Sequence, residues 1–205
     1  MNGAPNVTVV DDDFLVLRAL DRLLRAAGFA VQTFSSARDF LRERTADCTG
    51  CVVMDLSMPE LSGLELQQAL AASANPRPVV FISGQGSVPS SVEAMKAGAV
   101  DFLTKPVDEH KLLAAVRIAI GKDRAMREKD GLRATITARL ATLTLRERQV
   151  LEQVVAGKLN KQIAAELGTA EKTIKVHRAR MMRKMQVDSL AGLVRAWTVT
   201  QPPQA

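Results

Sequence analysis

Aromatic side chains are almost missing from this chain: of 205 residues six are phenylalanine, one is tryptophan and none is tyrosine. Whatever cores it builds must be aliphatic. Apolar runs of membrane length are missing too, since a span needs about 20 such residues. Met1 to Asn6 hold neither a cation cluster nor an apolar stretch, so nothing there reads as a secretory signal. These absences predict a cytoplasmic protein with no membrane association. Cysteine is limited to Cys48 and Cys51, spaced C-x-x-C. A redox pair of that spacing opens a helix, where the dipole lowers the thiol pKa. Cys51 opens an apolar run instead, which predicts a buried Cys51 beside an incidental Cys48.

What is present is ordinary in bulk and uneven in distribution. The chain is 47% hydrophobic and 24% charged, values typical of globular proteins. Its length allows one large domain or two modest ones. Net charge is +6, but residues 1–123 hold 12 basic and 15 acidic side chains, whereas residues 124–205 hold 16 and 7. An acidic half beside a strongly basic one predicts a nucleic-acid module in the second half.

The first half turns on Cys51 to Gly63, CVVMDLSMPELSG. Four apolar residues run into one carboxylate, Asp55, and the Met-Pro and Ser62-Gly63 pairs turn the chain at once. Similar short apolar runs occur at Val7–Val10, Val31–Phe34, Val79–Ile82 and Val100–Leu103. Helical patterns alternate with them: a helix with Leu17, Leu20 and Leu24 inward and Gly28 at its end, then Ser35–Arg44, Leu64–Ala72, Pro89–Ala97, and one from Asp108 past Ile120. Five such alternations predict an α/β, doubly wound, five-stranded parallel sheet. Right-handed crossovers then bring all strand carboxyl ends to one edge. That edge carries Asp11, Asp12, Asp55, Ser83 and Lys105. Helix capping accounts for one aspartate of Asp11, Asp12 and Asp13 but poorly for three. Clustered carboxylates suit a hard divalent cation such as Mg²⁺. Asp55 could then act as a nucleophile that forms an acyl phosphate, with Lys105 and the Ser83 hydroxyl meeting phosphoryl oxygens.

The segments VVDDD, MDLSMPELSG, FISG, AMKAGAVDF and the Lys-Pro of TKP match, in order and spacing, those of a receiver domain. Residues 5 to about 123 thus resemble the receiver domain of two-component response regulators, a flavodoxin-like fold. The resemblance implies Asp55 as phosphoacceptor, Asp12 as a direct Mg²⁺ ligand, Asp11 acting through water, and the Ser57 backbone carbonyl as a further metal ligand. It also implies Ser83 as the hydroxyl of the switch, Phe102 as its rotating aromatic, and a cis peptide before Pro106.

Gly121 to Leu143 carries charge on most turns and no large core stripe, which predicts a helical or partly flexible linker over 123–141. Thr144 with Glu147 is a capping box, and Val150, Leu151, Val154 and Val155 form a buried face ended by Gly157. Asn160 is expected to cap a short helix, Lys161–Leu167, and Gly168 to turn the chain into a longer one, Glu171–Lys184. That is the pattern of a helix-turn-helix. Its second helix carries Lys172, Lys175, Arg178 and Arg183 on the outer face, and a last helix spans Ser189–Val199. Residues 142–199, on LTLRERQVLEQVVAGKLNKQIAAELG and TIKVHRARMMRKM, resemble the four-helix LuxR-type DNA-binding domain. Lys175 and Val176 match base-reading positions of that family, while a further basic reader falls here at Ala179.

Receiver and helix-turn-helix together resemble the FixJ/NarL type of bacterial response regulator: receiver 1–122, linker 123–141, DNA-binding domain 142–205. The resemblance implies a phosphorylation-controlled transcriptional activator, not an enzyme acting on a separate substrate. It would be phosphorylated by a sensor histidine kinase, dimerise, bind promoter DNA and meet RNA polymerase. Lys172, Thr173, Lys175, Val176, Arg178 and Arg180 are the expected DNA contacts. Two other readings are weaker. A phosphatase of the haloacid-dehalogenase type would need an acid two residues after Asp55, where Ser57 stands. A receiver working unphosphorylated, as a scaffold, would have no use for Asp12, Asp55 and Lys105 together.

Overall fold

The computed structural model describes residues 4–43, 49–73, 75–84 and 88–201, with Val88 described by its backbone alone. Cys48 and Arg44, the expected end of the second helix, lie outside the described residues. The chain divides into two compact units, Met1–Met126 and Arg127–Ala205.

The first unit alternates β1 (Asn6–Val10), α1 (Phe14–Ala26), β2 (Ala30–Phe34), α2 (Ala37–Glu43), β3 (Cys51–Asp55), α3 (Gly63–Ala71), β4 (Val79–Ser83), α4 (Val88–Lys96), β5 (Asp101–Thr104) and the start of α5 (Glu109–Ala141). All four strand pairs are parallel, in the order β2-β1-β3-β4-β5. Every residue of β3 and β4 is buried, because helices cover both faces of a parallel sheet. Successive side chains alternate between the faces. Val9, Val53 and Ile82 join Leu17, Leu20 and Leu24 of α1 and Leu112, Val116 and Ala119 of α5. Val10, Met54 and Phe81 join Phe40, Leu66, Leu70 and Ala94 on the other side. Each fully buried side chain of this size stabilises the fold by about 1.5–3 kcal/mol. The strand order reverses between β1 and β3, and the crevice beyond their carboxyl ends is where such sheets bind ligands. Buried Cys51 has its thiol pushed up to about 12 by desolvation, which suits a core residue and not a redox thiolate.

Several boundaries differ from the sequence reading by one residue. α3 starts at Gly63 because Ser62 is its N-cap and forms a reciprocal capping box with Glu65. β5 is shifted one residue later, since Asp101 to Thr104 pair with Val80 to Ser83.

The charged stretch after Ile120 takes the helical one of its two expected forms and continues the last helix of the first unit. It is helical throughout, and α5 runs 33 residues. Gly121 and Gly131 are tolerated within it at a cost of about 1 kcal/mol each. The sequence pattern shows no core stripe there, yet Ile136 and Leu140, one turn apart, are buried in the core of the second unit.

The second unit continues with α6 (Leu145–Val155), α7 (Asn160–Glu166), α8 (Glu171–Met185) and α9 (Leu190–Thr200). Val150, Leu151, Val154, Ile163, Ile174, Met181, Met185 and Leu193 fill its core. Asn160 is not the cap of α7. Leu159 holds that position, its N–H is taken by the Gln162 side chain at 2.8 Å, and Asn160 is the first helical residue.

Thr144 and Glu147 do form the expected box at the start of α6. Glu147 is buried, and its Oε2 also accepts from Lys184 Nζ of α8 at 2.6 Å. That bond above all, aided by the Thr144 N–H and hydroxyl, holds the Glu147 carboxyl below its usual range. A carboxyl whose pKa is lower in the folded chain than its unfolded value near 4.3 stabilises the fold above that pH. The contribution is lost as pH falls through the folded-state pKa. Glu147→Gln should therefore cost the second unit about 1–3 kcal/mol at pH 7, and the gap from the parent chain should close on acidification. Thermal unfolding at neutral and acid pH measures both; an equal melting point at pH 7 would mean the pair contributes nothing.

Candidate functional site

Four parallel strands deliver five polar groups to one edge. Asp11 follows β1, Asp55 ends β3, Ser83 ends β4 and Lys105 follows β5, while Asp12 stands beside Asp11. Lys105 Nζ lies 2.7 Å from Asp11 Oδ2 and 2.9 Å from Asp55 Oδ1, so one ammonium is shared by two buried carboxylates. The other oxygen of Asp55 accepts the Ser57 backbone N–H at 2.8 Å. Asp11 Oδ1 accepts the Asp13 N–H at 2.9 Å, and Asp13 caps α1 through the N–H groups of Leu15 and Val16. The cap thus takes one aspartate of the three.

The turn after Asp55 is drawn in tightly. Gly63 N–H donates to the Leu56 carbonyl at 2.9 Å, and a Cβ on Gly63 would stand 2.4 Å from the Asp55 carbonyl oxygen. Only glycine lets α3 begin so close to the acid. Ser83 is buried, and its carbonyl accepts the Lys105 N–H at 2.8 Å. The Lys105–Pro106 bond is cis. Phe102 is half-buried, with its ring centroid 6.3 Å from that of Phe81. Asp12 and Ser57 are exposed.

Burial pushes the Asp11 carboxyl up, against the opposing pull of the Lys105 and Asp13 hydrogen bonds. Burial also works against the Lys105 charge, but the bonds to Asp11 and Asp55 outweigh it and its pKa is raised. Lys105 is therefore a fixed cation at neutral pH. Among the described residues no group of three acidic, histidine or cysteine side chains stands at metal-holding spacing. Two carboxylates with backbone carbonyls and water are nonetheless the donors Mg²⁺ accepts, because it keeps several waters and takes only one or two carboxylates.

In the second unit, α8 turns Ile174, Met181 and Met185 into the core. Lys172, Thr173, Lys175, Val176, Ala179, Arg180 and Arg183 lie on the remaining face, all of them exposed. Lys175 Nζ rests on Glu171 Oε1 at 3.0 Å, one turn back. Arg178 differs from the rest. It is half-buried, and its Nη1 donates to Asn160 Oδ1 of α7 at 3.2 Å. Helical spacing sets it on the outer face with Lys175 and gives no hint of this tie, because only the folded turn brings positions 160 and 178 together.

Residues 7–117 match the family model described as response regulator receiver domain, and residues 141–197 match that of bacterial regulatory proteins, luxR family. The chain belongs to the response regulators. Among its relatives is the response regulator protein TodT of Pseudomonas putida, 44% identical over 92% of this chain and 83% of that protein. The transcriptional regulatory protein FixJ of Bradyrhizobium diazoefficiens is 43% identical over 95% of each. Among solved structures, the response regulator StyR is 45% identical, covers 95% of this chain and 98% of its own, and superposes with a TM-score of 0.84. This response regulator is a transcriptional regulator with a receiver and a LuxR-type DNA-binding domain, of a family whose members are not enzymes acting on a separate substrate. No helix among its described residues is long and apolar enough to cross a membrane.

Proposed function

We propose that Asp55 accepts a phosphoryl group from a sensor histidine kinase, and that the phosphorylated chain dimerises and binds promoter DNA as an activator that meets RNA polymerase. The reading rests on one observation above all: the Lys105 ammonium pairs at once with the Asp11 and Asp55 carboxylates at the carboxyl edge of the sheet. A carboxylate oxygen of Asp55 bonds to phosphorus as the P–N bond of the phosphohistidine breaks, giving an acyl phosphate and free imidazole. Asp12, Asp55, the Ser57 carbonyl and, through water, Asp11 would hold Mg²⁺, whose charge offsets that of the incoming phosphoryl group. Ser57 N–H orients Asp55, and the Lys105 ammonium can follow a phosphoryl oxygen.

The new group brings about −1.5 to −2 charges beside Ser83 and Lys105. In this scheme the Ser83 hydroxyl moves toward it and Phe102 turns into the vacated space, reshaping the surface of α4 and β5. Val92 and Met95 of α4 are exposed there and offer an apolar dimer face; Val88 precedes Val92 by one turn in sequence, and its side chain lies outside the described residues. Moving from almost all inactive to almost all active takes about 5.5 kcal/mol of differential stabilisation. Coupling between sites typically supplies about 1–3 kcal/mol, so dimerisation on DNA adds the rest. Residues 1–122 would act as receiver, 123–141 as connector and 142–205 as the DNA-binding part, with Lys172, Thr173, Lys175, Val176, Arg178 and Arg180 as contacts.

Sedimentation in Mg²⁺, with and without beryllofluoride as phosphoryl mimic, tests the route. A shift from monomer to dimer is expected, and Met95→Glu should suppress it. An unchanged oligomeric state excludes dimerisation as the response.

A further inference from the structure

α8 carries six lysine and arginine side chains and a single acid, Glu171. That acid is the first residue of the helix, at the end that enters the major groove in a helix-turn-helix. Two local effects favour it there. A carboxylate in the first turn offsets the helix dipole, and a glutamate one turn before a lysine forms a good pair in any helix. Neither removes the repulsion between this carboxylate and the phosphates of DNA. On DNA, Glu171 therefore costs affinity at every site that brings it no hydrogen-bond donor.

Its surroundings select the donor that would serve. Glu171 Oε1 lies 3.0 Å from Lys175 Nζ, and 46% and 64% of the two side chains stay exposed. An acceptor and a donor thus stand side by side on one face of the helix. A G·C pair offers the complement in the major groove, with the O6 and N7 acceptors of guanine beside the N4 donor of cytosine. O6 and N4 share a Watson–Crick hydrogen bond, so they too stand about 2.9 Å apart. A C·G pair presents the same groups in reverse. A T·A pair keeps the order, but its adenine N7 sets an acceptor against the carboxylate and its thymine methyl crowds the ammonium.

We propose that Glu171 reads a base, accepting from cytosine N4 in the G·C pair whose guanine meets Lys175. Glu171 can do so only if Lys175 meets a base, as the proposed function has it. The two side chains exchange their direct bond for one bond each to the pair and stay neighbours, so the ammonium keeps its counter-charge. At the other three pairs an acceptor or a methyl group faces the carboxylate, and binding weakens. Glu171 thus adds discrimination by penalising wrong sites. The cations of α8 cannot do this through phosphates, which attract them at every sequence.

The test selects binding sites from a random duplex library with the full chain in Mg²⁺, with and without beryllofluoride. The parent, Glu171→Ala, Glu171→Gln and Lys175→Ala are compared, and each is then titrated on the parent's preferred duplex, its single-pair variants and scrambled DNA. All three substitutions fall at exposed positions, so the fold should hold, and circular dichroism checks it. Lys175→Ala should relax one pair that the parent fixes as G·C. At that same pair Glu171→Ala should lower the preference for G·C about tenfold, the low end of what one good base contact discriminates. On scrambled DNA it should bind more tightly than the parent, because one negative charge is gone. Glu171→Gln should come to accept T·A at that pair, since an amide satisfies adenine N6 and N7 together. If Glu171→Ala strengthens binding to every sequence equally, Glu171 is only a charge at the helix end and the proposal is overturned. A change of preference at a pair other than the one that Lys175→Ala relaxes overturns it too. If Lys175→Ala relaxes no pair, the placement of α8 fails and takes this role of Glu171 with it.

Discussion

Asp55→Asn should take up no phosphoryl group from a small phosphodonor in Mg²⁺, under conditions where the parent chain forms an acyl phosphate. An amide at that position keeps the size and still accepts the Ser57 N–H, but it offers phosphorus no anionic oxygen. The substitution should not unfold the receiver. It removes one of two buried carboxylates that share a single ammonium, so like-charge repulsion falls and stability at pH 7 should equal or exceed that of the parent. Lys105→Ala should behave in the opposite sense. It leaves Asp11 and Asp55 facing one another with no cation, so stability falls at neutral pH and partly returns in acid, when a carboxyl takes up a proton. The raised pKa of Lys105 carries the same sign: a cation favoured by folding stabilises the chain below its unfolded value, and the contribution is lost as pH rises through the folded-state pKa. Lys105→Ala should still bind metal, while any phosphorylation it undergoes fails to raise DNA binding. Acid-stable mass measurement or labelled phosphodonor reads the first outcome, and thermal unfolding across pH reads the second. Undiminished acyl phosphate in Asp55→Asn would remove Asp55 from its assigned role.

The edge that carries these residues is legible because each strand is a short apolar run ended by a polar residue. Val7–Val10 before Asp11, Cys51–Met54 before Asp55 and Val79–Ile82 before Ser83 repeat one design, and parallel pairing does the rest. Nothing local reveals that the Lys105 ammonium sits between two carboxylates. That geometry arises only when the turn after β5 meets the ends of β1 and β3. Register is the next loss. The apolar run starts β5 one residue early, at Val100, whereas pairing with β4 begins at Asp101. The S-x-x-E of Ser62 and Glu65 marks the start of α3, but Ser62-Gly63 also reads as a turn and hides it. Ile136 and Leu140 stay hidden for a different reason: two apolar residues among charges are too few to make a stripe, and only tertiary contact shows them to be core. Asn160 looks like a cap by residue type alone, while Gln162 at the third helical position does that work from the far side of the box.

On α8, Lys175→Ala and Arg180→Ala should fail in different ways when DNA binding is titrated. The second helix of a helix-turn-helix enters the major groove with its N-terminal part near base edges. Here that part is Glu171 to Arg178, and Lys175 and Val176 are exposed at its centre. A lysine there can donate to a guanine, and a valine can touch a thymine methyl. Lys175 must first leave Glu171, but that exposed pair contributes at most about 1 kcal/mol and yields readily to a base. Loss of the Lys175 ammonium should then cost about 1–3 kcal/mol on the preferred operator and relax base preference. Arg180 is exposed one turn beyond Val176, a position proposed to meet phosphates rather than bases. Arg180→Ala should weaken operator and scrambled DNA alike and lower the slope of log affinity against log salt by about one. Arg178 gives an internal comparison. Its guanidinium is tied to Asn160; as the proposed DNA contact it would arrive pre-oriented, and Asn160→Ala should reproduce part of the Arg178→Ala loss without changing base preference. All four variants are to be titrated on both DNAs at several salt concentrations. If Lys175→Ala weakens operator and scrambled DNA equally, Lys175 meets a phosphate, and α8 lies rotated about its axis so that other side chains face the bases.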